Sequence, residues 1–121
     1  MKEYALVFRT TNNAMPTPPT PEQIEQMMSS WQNWMGSIAA QNKLVNNGSR
    51  LGIADSKTVK GGGVVTNGPY TEVKEFINGY VIIRAENVDE AVEIAKECPM
   101  VKFGGNNSVE VRPLVTPDNN N

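Results

Sequence analysis

The sequence predicts a single α+β domain in which two helices pack on one face of an antiparallel sheet. Segments with the apolar patterns of strands occur at residues 3–9, 50–54, 77–86 and 108–114. Two further segments begin with helix-capping residues and continue with apolar side chains at helical spacing. With a strand hairpin in the middle of the chain, the elements follow the order βαββαβ, which typically places both helices on the same side of the sheet.

The first strand is predicted at residues 3–9, because both of its alternating sets of side chains are mostly apolar. One set is Tyr4, Leu6 and Phe8, and the other is Ala5, Val7 and Arg9. A strand of this kind fits between two packed layers, and we expect it to end at Arg9. The asparagines and prolines of residues 10–20 then predict a surface connection, which we favour over a lid.

The first helix is predicted from Thr20 to about Gln41. Thr20 is a capping residue, Pro21 occupies the first helical position, and Gln23 completes a capping box. Apolar residues then recur at spacings of three, four and seven, which predicts a stripe that faces the core. The stripe consists of Ile24, Met27, Met28, Trp31, Met35 and Ile38, with Trp34 at its margin. A pocket lined by these methionines and tryptophans is the less favoured alternative.

The centre of the chain predicts a short strand followed by a hairpin. Residues 46–48, Asn-Asn-Gly, are expected to end the first helical region, and the strand 50–54 to follow. A turn at Asp55 then leads into a partner segment at 58–65. The glycines at 61–63 lack the lysine and hydroxyl spacing of a phosphate-binding loop and do not lie between a strand and a helix. They therefore predict a hairpin tip or a bulge.

The C-terminal half predicts a strand, a helix and a final strand. Residues 77–86 have a nearly continuous apolar centre, which indicates burial on both faces. Asn87 caps the second helix, Glu90 reaches back to the cap, and Pro99 closes the helix. In the final strand, 108–114, apolar and charged side chains alternate.

The sheet is predicted to need cover on the face away from the helices. The strands at 3–9 and 79–86 offer large apolar side chains on both faces, and an exposed apolar patch of that size normally marks an interface. We therefore expect a homodimer in which a second copy covers this face. The cleft between the two sheets is then the natural site for a ligand.

Composition excludes several classes of function. The 121 residues carry a net charge of −2 with scattered basic residues, so no nucleic-acid-binding surface is expected. Cys98 is the single cysteine and there is no histidine, so we expect no metal site and no cofactor. Without an export signal or a bilayer-spanning apolar run, we expect a cytoplasmic location and no membrane contact. One domain is expected over 1–115, with a disordered tail at 116–121.

The stretch from Asn67 to Glu75 concentrates the conformationally and chemically special residues. Asn67-Gly68-Pro69 predicts a rigid turn, since Gly68 tolerates positive φ and Pro69 fixes its own φ. A tyrosine, two glutamates and a lysine follow at Tyr70, Glu72, Lys74 and Glu75. Such a turn presents polar groups on a fixed scaffold, while the plainer interpretation is a solvated connector.

This stretch resembles the signature of the DGPF-domain proteins, a branch of the YCII-related family. The family pattern is Asp-Gly-Pro-Phe-Ala-Glu-Thr-Lys-Glu followed by Gly-Phe or Gly-Tyr. This chain has Asn-Gly-Pro-Tyr-Thr-Glu-Val-Lys-Glu, followed by Gly79 and Tyr80. Further matches at 88–91, 98–99 and 109–113 extend the resemblance over roughly residues 44 to 114. The resemblance implies a ferredoxin-like fold whose sheets pair into a dimeric α/β barrel.

No catalytic residue of the family transfers to this chain. Members of the wider family carry a histidine and aspartate pair proposed as catalytic, whereas this chain lacks histidine and has Asn67 where the signature has its acid. The remaining acid-base candidates are Glu72, Glu75, Glu110, Lys74 and Tyr70, whose side chains would need large pKa shifts to act near neutral pH. We therefore favour a protein without catalytic activity. The alternative is an enzyme of isomerase or lyase type with a glutamate base.

The favoured hypothesis is a small dimeric domain that binds a small, anionic molecule in the cleft at the sheet interface. Asn67 and Tyr70 would form hydrogen bonds, and Arg9, Lys74 or Arg112 would hold the anionic group. The full candidate set is Arg9, Asn67, Gly68, Pro69, Tyr70, Glu72, Lys74 and Arg112. A third hypothesis is a protein-interaction module linked to transcription regulation, which the resemblance implies because DGPF-type domains occur alongside sigma-factor-like regulators.

Overall fold

Four strands form one antiparallel sheet, with both longer helices on the same face. The computed structural model describes residues 1–11, 20–52, 55–68, 75–102 and 107–115. In chain order the elements are β1 (Lys2–Thr11), α1 (Pro21–Ala40), β2 (Leu44–Arg50), β3 (Lys57–Val59), β4 (Val65–Asn67), β5 (Glu75–Ala85), α2 (Val88–Lys96), α3 (Pro99–Lys102) and β6 (Ser108–Pro113).

The sheet has the strand order β2-β5-β1-β6, and every neighbouring pair is antiparallel. The two longest strands, β1 and β5, lie in the centre, where each has a partner on both sides. This order, with one helix after the first and one after the third of the four strands, confirms the predicted ferredoxin-like α+β fold. The predicted pairing of two sheets into a barrel stays a prediction.

The core lies between the sheet and the helices. Its buried members are Tyr4, Leu6 and Phe8 of β1, Val81, Ile83 and Ala85 of β5, Trp34 and Ile38 of α1, Ala91 and Ala95 of α2, and Cys98. The alternation predicted for the first strand is confirmed, since Tyr4, Leu6 and Phe8 share this buried face. The strand itself extends past the predicted end at Arg9 to Thr11, because β5 continues to pair with it.

The predicted start of α1 is confirmed in detail. The hydroxyl of Thr20 accepts a hydrogen bond from Gln23 N at 3.2 Å, and Thr20 N donates to Gln23 Oε1 at 2.9 Å. Pro21 is the first helical residue, where its missing N–H leaves no hydrogen bond unmade. The helix ends at Ala40, close to the predicted Gln41, and Asn42 takes a positive φ of 59° immediately afterwards.

The predicted apolar stripe of α1 lies on the side of the helix that faces the core, but only its C-terminal part is buried. Trp34, expected at the margin, is only 6% exposed and belongs to the core. Ile24, Met27 and Met28, expected inside, are 46%, 39% and 59% exposed. Helical spacing identifies the side of a helix that faces the core, but it does not show how far along the helix the core extends.

The prediction for residues 46–48 is wrong. These residues do not end a helical region but lie inside β2, which occupies Leu44–Arg50 instead of 50–54. The pairing with β5 shifts register between Asn46 and Ser49, and Asn46 Oδ1 accepts a hydrogen bond from Gly48 N at 2.7 Å. A local turn of this kind inside a strand is a bulge, and it uses the same residue types as a helix end.

Strands β3 and β4 form a separate two-stranded sheet. They pair with each other, whereas the predicted partner was the strand 50–54, of which residues 53 and 54 lie outside the described residues. Gly62 and Gly63 have φ values of 87° and 86° and lie in the turn between the two strands, which confirms the predicted hairpin tip. The predicted connection at 10–20 falls largely outside the described residues.

The second helix begins as predicted and ends differently. Asn87 Oδ1 accepts a hydrogen bond from Glu90 N at 2.9 Å, and the Glu90 carboxylate reaches back to the N–H of Glu86 at 3.4 Å. Helix α2 stops at Lys96, before Pro99, and Pro99 opens the short helix α3. Proline suits the first turn of a helix as well as the position after one, so its presence alone could not decide between the two.

Candidate functional site

The face of the sheet opposite the helices is only partly covered by the chain itself. Core-facing residues of β1 and β5 are buried, whereas the residues between them are half-buried or exposed. By alternation and register this open face carries Glu3, Ala5, Val7 and Arg9 of β1, Ile77, Tyr80, Ile82 and Arg84 of β5, Ser108, Glu110 and Arg112 of β6, and Asn46 and Ser49 of β2. Its centre is therefore apolar and its margins are polar.

A cluster of two arginines and one glutamate lies at one margin of the open face. Arg9 Nε lies 3.0 Å from Glu110 Oε2, and Arg112 Nη1 donates to Glu110 Oε1 at 2.8 Å. The register between β1 and β6 brings the three side chains together, because Val7 is opposite Glu110. Arg9 is two residues after Val7 and Arg112 is two residues after Glu110, so both arginines lie on the same face as that carboxylate and next to it. Two positive charges share one negative charge, so the cluster has a net charge of +1.

The two arginines hold Glu110 in different ways. Arg112 forms an aligned hydrogen bond, whereas the N–H at Arg9 Nε is not aimed at the carboxylate in hydrogen-bond geometry. The contact with Arg9 is thus mainly one of charge. Each guanidinium has five N–H donors, so both arginines keep donors that do not face Glu110.

The surroundings of Glu110 lower the pKa of its carboxyl group below the usual value. The hydrogen bond from Arg112 is the largest cause, the charges of Arg9 and Arg112 act in the same direction, and burial opposes them. A general base for neutral pH would need a raised pKa. Of the three glutamates considered as bases, Glu110 is therefore unsuited, and the side chains of Glu72 and Glu75 lie outside the described residues.

We expect an NMR titration of the Glu110 carboxyl to give a midpoint below that of an ordinary glutamate. The midpoint should rise more in Arg112→Ala than in Arg9→Ala, because the Arg112 hydrogen bond is the larger cause of the shift. Since the folded-state pKa is the lower one, this group stabilises the fold above its unfolded-state pKa. The stabilisation is lost as the pH falls through the folded-state pKa. A midpoint between pH 6 and 7 would contradict this and restore Glu110 as a base.

Asn67 ends β4 and Gly68 follows it, so both belong to the separate β3–β4 hairpin and not to the sheet that carries the arginine cluster. Asn67 Oδ1 already accepts a hydrogen bond from Lys57 Nζ at 2.7 Å. Gly68 has a φ of 68°, as the predicted turn requires, and its N–H donates to Ser56 O at 2.6 Å. Its own carbonyl accepts from the hydroxyl of Thr58 at 2.7 Å. Both residues thus serve the hairpin within the described structure.

Of the predicted site residues, the structure brings together Arg9, Glu110 and Arg112. Pro69, Tyr70, Glu72 and Lys74 lie outside the described residues. The backbone of Glu75, the last residue of the signature, pairs with Thr11 at the end of β1, two residues beyond Arg9. The chain therefore leads from the signature directly into the strand that borders the cluster.

Arg84 and Tyr80 are open-face residues that were not among the predicted site residues. Arg84 stands opposite Glu3, and its Nε atom is shielded from solvent without a hydrogen-bond partner. Tyr80 stands opposite Val7 in the apolar centre. The sequence could have predicted their position. The alternation that buries Val81 and Ile83 necessarily places Tyr80, Ile82 and Arg84 on the other face of the strand.

Two other features carry less chemistry. Cys98 is fully buried, and burial raises the pKa of its thiol, so it behaves as a small apolar core residue. A shallow groove of about 480 Å³ between α1 and α3 is lined by Gln26, Ser30, Asn33, Trp34, Ser37, Glu97, Pro99 and Lys102. Its two charged residues, Glu97 and Lys102, form an ion pair at 2.6 Å.

No helix of the described residues is long and apolar enough to cross a membrane.

Comparison with known families supports the resemblance over nearly the whole chain. The model of the YCII-related domain matches residues 3–115, which includes β1 and α1 as well as the signature and all later elements. No curated protein matches the chain.

Proposed function

The chain belongs to the YCII-related family, and we propose that it is a homodimeric domain that binds a small anionic molecule between the open sheet faces of two copies. The observation that carries the proposal is the composition of the open face. It combines an apolar centre, formed by residues such as Val7, Tyr80 and Ile82, with a margin of net charge +1 at Arg9, Glu110 and Arg112.

The apolar centre supports a second copy as its cover. Ala5, Val7, Tyr80 and Ile82 are half-buried in the single chain, and Ile77 is 45% exposed. Burying such side chains is favourable by roughly 25 cal/mol for each Å² of apolar surface removed from water. An identical face can meet itself across a two-fold axis, which is the commonest symmetry of soluble oligomers. The dimer would enclose a cleft whose margins carry the arginines of both copies.

The arginine cluster supports an anion as the ligand. A second copy over the open face would exclude water from the cluster, which strengthens its electrostatic interactions. The excess positive charge and the remaining N–H donors of Arg9 and Arg112 suit a carboxylate or an oxyanion, which guanidinium groups bind in a bidentate manner. Glu110 positions both arginines in this scheme and does not contact the ligand.

Titration with sulfate and with acetate tests the proposal, since neither anion changes its charge between pH 6 and 8. We expect both to perturb the NMR signals of the Arg9 and Arg112 side chains, with nearly equal affinity across this pH range because the chain has no histidine. Arg9→Ala and Arg112→Ala should each weaken binding by about 1 to 3 kcal/mol, as expected for charge-assisted hydrogen bonds.

Lys96→Ala is the matched control, since Lys96 is also a cation paired with a glutamate, Glu93 at 3.1 Å, but lies on α2. Its affinity for both anions should equal that of the unaltered chain. If neither anion perturbs Arg9 or Arg112, or if the Lys96 variant loses as much affinity as the arginine variants, the proposed anion site is wrong.

A further inference from the structure

The β3–β4 hairpin is a projection that the rest of the chain leaves largely uncovered. It consists of three residue pairs, Lys57 with Asn67, Thr58 with Thr66 and Val59 with Val65, and forms a sheet of its own. Among the described residues its backbone bonds are internal to the segment 56–68. A two-stranded hairpin of this size is marginally stable in water unless something packs against it.

The two faces of the hairpin differ sharply in their exposure. Thr58 and Thr66 lie on one face, where both are half-buried and the Thr66 hydroxyl is shielded from solvent. Val59 and Val65 lie on the other face and are 68% and 57% exposed, and Val64 beside the tip is 58% exposed. The chain thus covers the threonine face and leaves three neighbouring valines in water.

From this asymmetry we infer that the valine face of the hairpin docks on a second copy of the chain, as an arm of the proposed homodimer. The inference rests on that proposed dimer, and two observations favour a second copy as the occupant. The first is position. The hairpin is inserted between β2 and β5, so it leaves the sheet at the end where β1 reaches Arg9 and where the open face has its charged cluster.

The second observation is the size of the open face. Four strands about 4.8 Å apart and roughly 20 to 25 Å long give a footprint of roughly 400 to 500 Å². Stable protein interfaces bury about 800 Å² on each partner. The sheet face alone is therefore small for a lasting dimer, and two arms, one from each copy, would add the missing contact symmetrically.

The valine face also has the chemistry of an interface between copies. Near the tip it is purely apolar, and the polar pair at its root is satisfied internally by the 2.7 Å hydrogen bond from Lys57 to Asn67. Apolar centres with polar margins are typical of homodimer interfaces. The apolar part of this face, Val59 with Val65, fits an apolar partner surface such as the centre of the open face, while the positive charge of Lys57 lies at the root of the hairpin.

The test replaces the two paired valines by threonine, which keeps the β-branched shape and the strand propensity while adding a hydroxyl group. We expect Val59→Thr with Val65→Thr to weaken dimerisation at least about tenfold by sedimentation equilibrium, since apolar contacts at an interface are lost. Far-ultraviolet circular dichroism should stay unchanged. The matched control is Val88→Thr with Val115→Thr, which alters two valines that are 46% and 62% exposed elsewhere.

Hydrogen exchange gives a second measurement on the unaltered chain. The amides of β3 and β4 should become protected as the concentration rises through the range in which dimers form, because docking stabilises the hairpin. If the double variant at Val59 and Val65 dimerises as strongly as the unaltered chain, the hairpin does not dock on the second copy, although the proposed dimer itself still holds. Equal weakening in the control pair also overturns the arm. A chain that stays monomeric at micromolar concentration overturns the dimer itself.

Discussion

Gly48→Ala should destabilise the fold by about 3 to 5 kcal/mol, which would place it among the severe single substitutions. Gly48 has a φ of +69°, and a methyl group built on it would lie 1.6 Å from the carbonyl oxygen of Tyr80 and 2.6 Å from the carbonyl carbon. Those atoms belong to the backbone of the central strand β5, so they cannot move without breaking the pairing of β2 with β5. Urea unfolding measures the loss, and amide exchange at Tyr80 and Ile82 should increase.

Two other glycines separate the causes of this effect. Gly68 has almost the same φ, +68°, but nothing lies within 4 Å of the place where its methyl group would go. Gly68→Ala should therefore cost only the left-handed backbone strain, about 1 to 2 kcal/mol. Gly36 lies in α1 with open space around it, and Gly36→Ala should stabilise the fold by about 0.5 to 1 kcal/mol. If Gly48→Ala lowered the free energy of unfolding by no more than Gly68→Ala does, the backbone of Tyr80 would not exclude a methyl group at position 48.

Gly48 also shows why the centre of the chain was harder to predict than its ends. Asn-Asn-Gly is a suitable end for a helix and an equally suitable bulge in a strand, because both need a turn-forming side chain and a residue with positive φ. What decides between them is the backbone of Tyr80, some thirty positions later. Local patterns carry no information about such a distant neighbour.

The elements that were predicted correctly share a local cause. The start of α1 depends on Thr20, Pro21 and Gln23, which lie within four positions of one another. The two faces of β1 follow from the strict alternation of side chains in a strand, since each residue can lie only on one face or the other. The positions of β1, β5 and β6 along the chain follow from periodicity, whereas β2, the independent β3–β4 sheet and the short helix α3 carry no strong periodic signal.

The candidate site was predictable in part for the same reason. Alternation places Arg9 on the face opposite the core, and it places Glu110 and Arg112 on one common face of β6. Their convergence on one carboxylate depends on the register between β1 and β6, which the sequence does not specify. The lowered pKa of Glu110 follows from that register, so its unsuitability as a base became visible only with the contacts in place.

Trp34→Ala should cost about 3 to 5 kcal/mol, although the spacing of apolar residues on α1 places Trp34 at the margin of the stripe. The side chain is 6% exposed and packs against Phe8 and Trp31, with ring centroids 6.2 and 5.2 Å away. Its Nε1 atom also donates to the carbonyl oxygen of Ile94 at 3.0 Å. Truncation would leave a cavity and remove the indole hydrogen bond, and both changes are destabilising, although Ile94 O would keep the 3.2 Å hydrogen bond from Glu97 N.

Met28→Ala is the matched control on the same helix, since Met28 belongs to the predicted stripe yet is 59% exposed. Its loss should change the free energy of unfolding by no more than about 0.5 kcal/mol, as expected for a surface position. Trp34→Phe removes the indole N–H while keeping an aromatic ring, so it isolates the hydrogen bond to Ile94. If Met28→Ala proved as costly as Trp34→Ala, the apolar start of α1 would have to be covered in solution, by the chain or by a second copy. If Trp34→Ala and the unaltered chain had equal melting temperatures, Trp34 would instead lie at the margin of the core, as the spacing predicts.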